Sequence, residues 1–279
     1  MKMVRYKTIL KIIEKETQKC KATAKAKKIG ETGKWETLYD ENGTKTGSKV
    51  TYSDGTSITY DRMESITKIT TPEGKEINYL QRESYDFFED FTSFELKQKY
   101  GPEKYETFKK YCGIYYSYSY KYINQYLRGD ITKERAIEKM GSNEFNFIME
   151  NQNLFNQILT ENNISKMPSF FTVRETIGLF QNDNIDKKIV ADKGYTSTSV
   201  GMSTRDLKST FGSHKGYTII SLYENGNNAS SGAFLGHVLK EVNGFDNEME
   251  YLVAPGEKFS RWLIDEKSKI IMQIPYKTG

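Results

Sequence analysis

Cysteine and histidine are both scarce in this chain of 279 residues. The two cysteines, Cys20 and Cys112, lie far apart, so neither a zinc site nor a disulfide framework is expected from their spacing. The two histidines, His214 and His237, leave few candidates for a catalytic triad that uses histidine as its base. We therefore expect other residue types to carry any catalytic chemistry.

Long apolar runs are absent as well. No stretch reaches the roughly 18 apolar residues that make a candidate membrane-spanning helix. The apolar segment near the N-terminus, Thr8–Glu14, is interrupted by Lys11 and is not followed by a small-residue cleavage site. We therefore expect no membrane span and no signal peptide. The chain is expected either to stay in the cytoplasm of the producing cell or to leave it by a non-classical route.

The charge is small overall but unevenly distributed. A formal net charge of +4 does not by itself indicate a nucleic-acid partner. Residues Met1–Gly30, however, hold ten Lys and Arg against two Glu, and Ile9, Ile12 and Ile13 fall at helical spacing. This pattern predicts a basic helical arm over residues 1–30. A solvated helix that packs one stripe on the body is favoured over an arm that binds nucleic acid or another acidic partner.

Turn signals set residues 31–80 apart from the rest of the chain. Asn42-Gly43, Asp54-Gly55 and Glu73-Gly74 are separated by alternating, β-branched runs. Such spacing is typical of hairpins joined by tight turns. It predicts a small β-rich region with an antiparallel meander.

The remainder of the chain changes from helices to strands. Aromatic residues at helical spacing fill residues 82–165, and Gly101 and Gly129 interrupt the pattern. Strands are predicted from Ser169 onward, over Phe170–Arg174, Gly194–Val200, Gly216–Tyr223, Gly232–Leu239, Met249–Val253 and Lys269–Tyr276. Helices followed by a mostly β half predict an α+β fold.

Three of the predicted strand segments carry side chains suited to one chemical task. One ends in Arg174, and one contains Ser197, Thr198 and Ser199. The third contains Glu250 and is directly preceded by Glu248. Residues two apart on a strand point to the same side, so the two glutamates form an acid pair. Each segment alone is also typical of ordinary strand ends. Together they offer a cation for a phosphate, hydroxyls that orient a carboxylate, and a carboxylate for a developing positive charge.

This order of motifs resembles the ADP-ribosyltransferase toxin family of the arginine, Ser-Thr-Ser and Glu-x-Glu class. The resemblance covers roughly Glu83–Gly279 and is strongest to the enzymatic components of clostridial-type binary toxins and to their phage and bacterial relatives. Three further segments match in order. Ile123–Gly129 is similar to the family's Ile-Asn-x-x-Leu-Arg-Gly helix, Gly232–Phe234 to its Gly-Ala-aromatic strand, and Leu252–Phe259 to its closing strand.

The resemblance implies an architecture and a substrate. It implies an α+β ADP-ribosyltransferase fold, in which N-terminal helices precede two packed, mostly antiparallel β-sheets around an NAD cleft. The chain then divides into a basic helical arm at 1–30, a β-rich region at 31–80 and a catalytic domain at 83–279. NAD is the implied substrate, no metal is implied, and a target protein accepts the ADP-ribose.

The resemblance also implies roles for individual residues. Arg174 would bind the NAD phosphates, Ser197 would orient the catalytic carboxylate of Glu250, and Glu250 would stabilise the oxocarbenium-like ribose as nicotinamide leaves. Thr198 and Ser199 would stabilise the strand and the pocket wall. Further contacts with NAD are implied for Phe211, which would pack on nicotinamide, and for Tyr115, Tyr120 and Asn124.

Two residues are implied to recognise the acceptor. In the family, a glutamate at the position of Glu248 accompanies modification of arginine, and Phe245 lies where the loop carries an aromatic for the target protein. An attacking guanidinium must lose a proton, which a carboxylate can accept. We therefore expect mono-ADP-ribosylation of an arginine on a target protein.

Two positions depart from the family pattern, and several functions stay open. Glu175 and His214 stand where some relatives carry additional NAD-contacting arginines, which leaves the strength of NAD binding open. The alternatives are an NAD glycohydrolase, a transferase acting on nucleic acid through the basic arm, and a catalytically inactive binding or structural protein of phage type.

Overall fold

The computed structural model describes residues 27–29, 33–80, 82–161, 169–175, 189–200, 216–223, 232–243 and 249–276. Phe211, His214, Phe245 and Glu248 lie outside the described residues, as does the predicted arm up to residue 26. Over the described ranges, no helix is both long enough and apolar enough to cross a membrane.

The secondary structure alternates between short strands and a central block of helices. The strands are β1 Lys27–Ile29, β2 Lys34–Tyr39, β3 Lys45–Thr51, β4 Ser57–Asp61, β5 Ile66–Thr70, β6 Glu76–Asn78, β7 Phe170–Glu175, β8 Ile189–Ala191, β9 Thr196–Ser199, β10 Thr218–Tyr223, β11 Gly232–Phe234, β12 Glu250–Val253, β13 Lys258–Asp265 and β14 Ile270–Pro275. The helices are α1 Arg82–Ile114, α2 Tyr120–Arg128, α3 Lys133–Met140, α4 Ser142–Glu161 and α5 Gly236–Asn243. A π-helical turn, Tyr115–Ser119, joins α1 to α2.

The helix boundaries lie where the sequence signals place them. Gly101, followed by Pro102, has a φ of 78° and kinks α1 into two helical parts. Gly129 has a left-handed conformation and ends α2, as a helix-terminating glycine commonly does. The hydroxyl of Thr132 accepts a hydrogen bond from the backbone N–H of Arg135 and caps α3.

Strands β2–β6 form a five-stranded antiparallel sheet in chain order, which we call the small sheet. Gly43, Gly55 and Gly74 in its turns all have positive φ, a conformation that glycine adopts at no steric cost. The side chains of Asp40 and Asp61 accept hydrogen bonds from backbone N–H groups within their turns. The antiparallel meander predicted from the turn signals is therefore present.

The other strands form a nine-stranded sheet, which we call the large sheet. Its order is β1-β13-β14-β10-β7-β9-β12-β11, with β8 also paired to β13. Two of its pairs, β1 with β13 and β10 with β14, are parallel, and the others are antiparallel. The predicted α+β class with two mostly antiparallel sheets is confirmed. The family resemblance implied that helices precede both sheets. Instead, the small sheet precedes helices α1–α4, and all strands described after α4 belong to the large sheet.

Two hydrophobic clusters join the large sheet to the rest of the fold, one to the small sheet and one to the helices. The small sheet packs against β7, β10, β13 and β14 through an apolar cluster that includes Val50, Ile58, Ile69, Phe171, Ile220, Leu263 and Met272. The helices pack against β11, β12 and the residue before β9 through a cluster rich in aromatic residues, which includes Tyr105, Phe108, Tyr111, Phe155, Tyr195 and Leu252. The large sheet is thus the layer that the small sheet and the helices share.

Several elements differ from the sequence-based predictions. The predicted strand Gly232–Leu239 is wrong after Phe234, because Leu235, Val238 and Leu239 have helical spacing and bury one face of the α5 region in the helical core. A short apolar run fits either structure, and the helical layer decides between them.

The ends of two other predicted segments also differ. Lys27–Ile29, at the end of the predicted helical arm, is strand β1, for which the edge of β13 supplies the hydrogen-bonding partners. Leu252–Phe259 spans the end of β12, a turn with Gly256 at a φ of 81°, and the start of β13, rather than one strand. Strands β8 and β13 have no counterpart in the predicted set.

Candidate active site

The large sheet brings the three predicted chemical segments side by side. Strands β7, β9 and β12 are neighbours in the sheet. Val173, which precedes Arg174, pairs with Ser199, and Ser199 pairs in turn with Glu250. Because neighbouring strands lie about 4.8 Å apart, the arginine, the hydroxyls and the carboxylate belong to one small region of the sheet.

The register places Ser199, and not Ser197, directly opposite Glu250. Ser197 pairs with Leu252, two residues further along β12. Both serines share the sheet face of Glu250, but Ser197 is exposed and Ser199 is buried. The hydroxyl of Thr198 donates to the backbone carbonyl of Tyr251 at 2.7 Å, which ties β9 to β12. The role implied for Ser197 in orienting Glu250 stays a prediction.

Glu250 is a buried carboxylate held by a tyrosine. Its residue is 3% exposed, and its Oε1 accepts a hydrogen bond from the hydroxyl of Tyr116 at 2.7 Å. Burial and then the negative charge of Glu250 raise the pKa of Tyr116 well above its ordinary value, so this hydroxyl stays protonated and remains a donor. Burying a carboxylate is costly, and such groups are concentrated in functional sites.

The residue before Glu250 has an unusual backbone conformation. Met249 has a φ of 41°, in the left-handed region that residues other than glycine seldom adopt. Its side chain is buried in a cluster with Phe234 and Tyr251, and its sulfur lies 4.0 Å from the hydroxyl of Tyr79. This packing fixes the start of β12 and with it the position of Glu250.

Arg174 lies on β7 as a partly exposed cation. Burial lowers the pKa of its guanidinium, and the carboxylates of Asp192 and Glu250 act in the opposite direction. An arginine nevertheless keeps its charge in proteins. Arg174 is thus a fixed positive charge within electrostatic reach of the buried carboxylate, and its planar fork suits phosphate oxygens.

A second cation, Arg128, closes the end of α2 against the large sheet. Its Nε and Nη2 donate to the two carboxylate oxygens of Asp192 at 2.8 and 2.7 Å. The Oδ1 of Asp192 also accepts the backbone N–H of Gly194 at 2.9 Å. This two-pronged ion pair anchors the helix to the turn that precedes the Ser-Thr-Ser strand.

Asn124 connects α2 to the same turn from inside the core. Its Oδ1 accepts the backbone N–H of Tyr195 at 2.8 Å, and its Nδ2 donates to the hydroxyl of Tyr115 at 2.9 Å. Both side-chain groups of Asn124 are thus engaged within the protein, where they support the wall of the site. Tyr120 is 51% exposed at the surface. The contacts with NAD implied for Asn124, Tyr115 and Tyr120 stay predictions.

Tyr116 and Asp192 are site residues that the sequence reasoning missed. Tyr116 follows Tyr115 directly, and both tyrosines belong to the π-helical turn beside the site. A regular helical period does not predict that two consecutive residues face the same site. The only signal for Asp192 is its place in an Asp-x-Gly turn. Across the part of the chain that the structure describes, no group of His, Cys, Asp and Glu side chains is suited to hold a metal ion.

The chain matches no family model and no curated protein, but its fold is similar to several solved structures. C3stau2 from S. aureus, solved with NAD, is 15% identical, with 72% of this chain and 98% of that chain covered and a TM-score of 0.45. The ADP-ribosyltransferase toxin Plx2a from Paenibacillus larvae is 16% identical, with 70% and 96% covered and a TM-score of 0.46. The ADP-ribosylating toxin BECa from C. perfringens, solved with NADH, is 17% identical, with 87% and 61% covered and a TM-score of 0.47. The structures that this fold resembles thus include ADP-ribosyltransferase toxins, the family whose motifs the sequence also resembles.

Proposed function

We propose that this chain is a mono-ADP-ribosyltransferase that cleaves NAD, releases nicotinamide and transfers ADP-ribose to an arginine of a target protein. The observation that supports this most strongly is the buried carboxylate of Glu250. Glu250 lies opposite Ser199 of β9, and β9 pairs in turn with β7, the strand that carries Arg174. Buried carboxylates are concentrated in functional sites, and Glu250 is a buried carboxylate that lies beside the Ser-Thr-Ser strand.

Glu250 is the residue to which we assign the cleavage step. When the bond between nicotinamide and ribose breaks, its electron pair leaves with nicotinamide and the ribose becomes oxocarbenium-like. A carboxylate that is hydrogen-bonded to the ribose 2′-hydroxyl stabilises this positive charge. The burial of Glu250 strengthens that interaction, because electrostatic attraction grows as water is excluded.

Arg174 is the residue to which we assign the NAD diphosphate. A guanidinium can donate two parallel hydrogen bonds to phosphate oxygens. The next residue, Glu175, is buried and accepts a hydrogen bond from the hydroxyl of Thr218. The side chain of Glu175 is therefore engaged inside the protein. Of the two neighbouring residues Arg174 and Glu175, Arg174 is the one that supplies a positive charge.

The transfer step needs an acceptor group and a base. In the proposed reaction, a guanidino nitrogen of the target arginine attacks the anomeric carbon, a C–N bond forms, and the nitrogen gives up a proton. We assign this proton to Glu248, the other member of the acid pair, and we assign contact with the target protein to Phe245. A carboxylate at position 248 suits a guanidinium because it can both bind the cation and accept its proton.

The test is incubation of the purified chain with NAD labelled in its adenylate part, with a cell lysate and, separately, with agmatine as a small guanidino acceptor. We expect label in protein and in agmatine, and release of nicotinamide. The variant Glu250→Gln is expected to lower both the labelling and the nicotinamide release by on the order of 10²–10³-fold. The variant Glu248→Gln is expected to retain more NAD hydrolysis than transfer.

Other outcomes of the same assay separate the alternatives. Label in nucleic acid would favour a nucleic-acid transferase, and free ADP-ribose without labelled acceptor would favour an NAD glycohydrolase. Absence of any nicotinamide release from the wild-type chain would overturn the proposal and favour a catalytically inactive protein.

A further inference from the structure

Tyr116 joins the helical layer to the reactive carboxylate. We infer that Tyr116 is a positioning residue for the NAD-cleaving step: its hydroxyl holds Oε1 of Glu250 and so fixes the orientation of the carboxylate towards the ribose. This inference rests on the proposed function, because it assigns a task within the same site.

The geometry of the contact suits this task. The donor and acceptor oxygens are 2.7 Å apart, within the short range typical of a hydroxyl that donates to a charged oxygen. Glu250 is buried at the start of β12, and Tyr116 belongs to the opposing layer. The hydrogen bond therefore restrains the carboxylate from the helical layer, which lies across from the strand that carries Glu250.

The π-helical turn holds Tyr116 in place. Its neighbour Tyr115 is buried, and the two rings pack edge to face with centroids 5.0 Å apart. Within the turn, the backbone of Ser117 leaves the helical conformation, and its hydroxyl donates to the carbonyl of Ile114 at 2.6 Å. The hydroxyl of Ser119 donates to Glu144 of α4 at 3.2 Å. The turn is thus anchored on both sides of Tyr116, and π-helical turns of this kind are frequent at functional sites.

The chemistry of Tyr116 points to positioning and not to proton transfer. Its hydroxyl keeps its proton, because burial and the charge of Glu250 both disfavour the phenolate. A phenol that stays neutral can donate to the carboxylate but cannot act as the base of the reaction. Ser197, the residue implied by the family resemblance for the orienting task, is exposed and lies opposite Leu252.

The test compares Tyr116→Phe with Tyr118→Phe in steady-state NAD hydrolysis. Tyr118 belongs to the same π-helical turn and is 91% exposed, so its variant is a matched control. We expect Tyr116→Phe to lower kcat about 10- to 100-fold, the usual effect of losing a hydrogen bond to a charged group, with KM nearly unchanged. Tyr118→Phe is expected to keep the wild-type kcat and KM.

Two further variants distinguish positioning from packing. In a Glu250→Gln background, Tyr116→Phe is expected to change the residual rate little, because its effect acts through the carboxylate. Tyr116→His retains a ring nitrogen as donor and is expected to recover part of the kcat that Tyr116→Phe loses. Equally low kcat in the His and Phe variants, or an equal loss in both backgrounds, would overturn the inference.

The outcomes also separate this inference from the proposed function. Wild-type hydrolysis that Glu250→Gln lowers strongly, together with an unchanged kcat in Tyr116→Phe, would overturn the role of Tyr116 alone. No hydrolysis by the wild-type chain would overturn the proposed function and the positioning role with it.

Discussion

Two groups of strands in the large sheet are packed in different ways: β7, β10, β13 and β14 against the small sheet, and β11 and β12 against the helices. Against the small sheet, the contact consists mainly of aliphatic side chains such as Val50, Ile58 and Ile69 against Ile220 and Leu263. Against the helices, aromatic side chains surround a chain of polar groups, most of which are buried. The hydroxyl of Tyr195 contacts that of Tyr111 and donates to Asn156, and its backbone N–H donates to Asn124. Asn124 donates to Tyr115, whose ring packs on that of Tyr116, and Tyr116 donates to Glu250.

The difference separates stability from chemistry. Apolar burial contributes stability in proportion to area and demands only a rough fit of volumes. Buried polar groups contribute little net stability but fix positions, because each must find its partner. We therefore expect changes on the side of the small sheet to alter stability, and changes at the polar chain to alter activity.

The largest effect is expected at Glu250. Glu250→Gln keeps the shape of the side chain and removes the negative charge, so NAD hydrolysis is expected to fall by on the order of 10²–10³-fold. The melting temperature is expected to stay equal or to rise, because a buried charge is costly. Thermal unfolding and a hydrolysis assay on the same sample check both statements. Retained hydrolysis would contradict the division between the side of the small sheet and the side of the helices.

The opposite behaviour is expected at Ile58. This side chain is fully buried and lies between Val50 and Ile69 on the neighbouring strands. Ile58→Ala leaves a cavity and is expected to lower the free energy of unfolding by about 3 kcal/mol, and Ile58→Val, the graded control, by about 1 kcal/mol. Denaturant unfolding measures the loss. The kcat per folded molecule is expected to stay that of the wild type, and a parallel loss of kcat would show that the small-sheet contact and the site are coupled.

A smaller effect on stability is expected at Gly194. A Cβ at this position would lie 2.8 Å from Oδ1 of Asn124 and 3.3 Å from Cζ of Arg128. Asn124 is held by Tyr115 and by the backbone of Tyr195, so it cannot move away cheaply. Gly194→Ala is expected to cost about 2 kcal/mol of unfolding free energy.

The reason for that cost can be tested with a second substitution. In an Asn124→Ala background the crowded atom is gone, and Gly194→Ala is expected to cost less than it does in the wild type. An equal cost in both backgrounds would contradict the steric explanation.

The smallest effect is expected at an exposed polar cluster of the helical layer. Glu161 accepts hydrogen bonds from Lys99, Tyr100 and Gln157, which lower its pKa from 4.5 to about 2. A carboxyl whose folded pKa is depressed stabilises the fold above its unfolded pKa and loses that contribution as the pH falls through its folded pKa. The melting temperatures of the wild type and Glu161→Gln are therefore expected to differ slightly above pH 4.5 and to converge towards pH 2. A difference that persists at pH 2 would contradict this explanation.

Much of the fold follows from local signals in the sequence. The glycine and aspartate turns of residues 33–80 determine the meander, because few other residues tolerate their backbone conformations. Gly101 and Gly129 interrupt or end helices for the same reason. The strand β1 and the helix α5 are different, because their short sequences suit more than one structure and their neighbours decide.

The site was predictable to a similar extent. The sequence alone indicates the chemistry of three segments, which are Arg174, the Ser-Thr-Ser strand and Glu250. The large sheet brings their strands together. The register that places Ser199 opposite Glu250 depends on a pairing between strands about fifty residues apart, which no local pattern encodes. Tyr116 and Asp192 carry no signal of their own, because their importance comes from partners on other elements.

The sequence by itself determined the side chains of the candidate site, the turns and helix ends, and the α+β class, because these depend on residue type and on neighbours along the chain. Only the tertiary structure decided which hydroxyl faces Glu250, which tyrosine holds it, and which acid anchors Arg128. Those contacts join residues distant in sequence, and their geometry is set by sheet register and by the packing of the helices on the sheet.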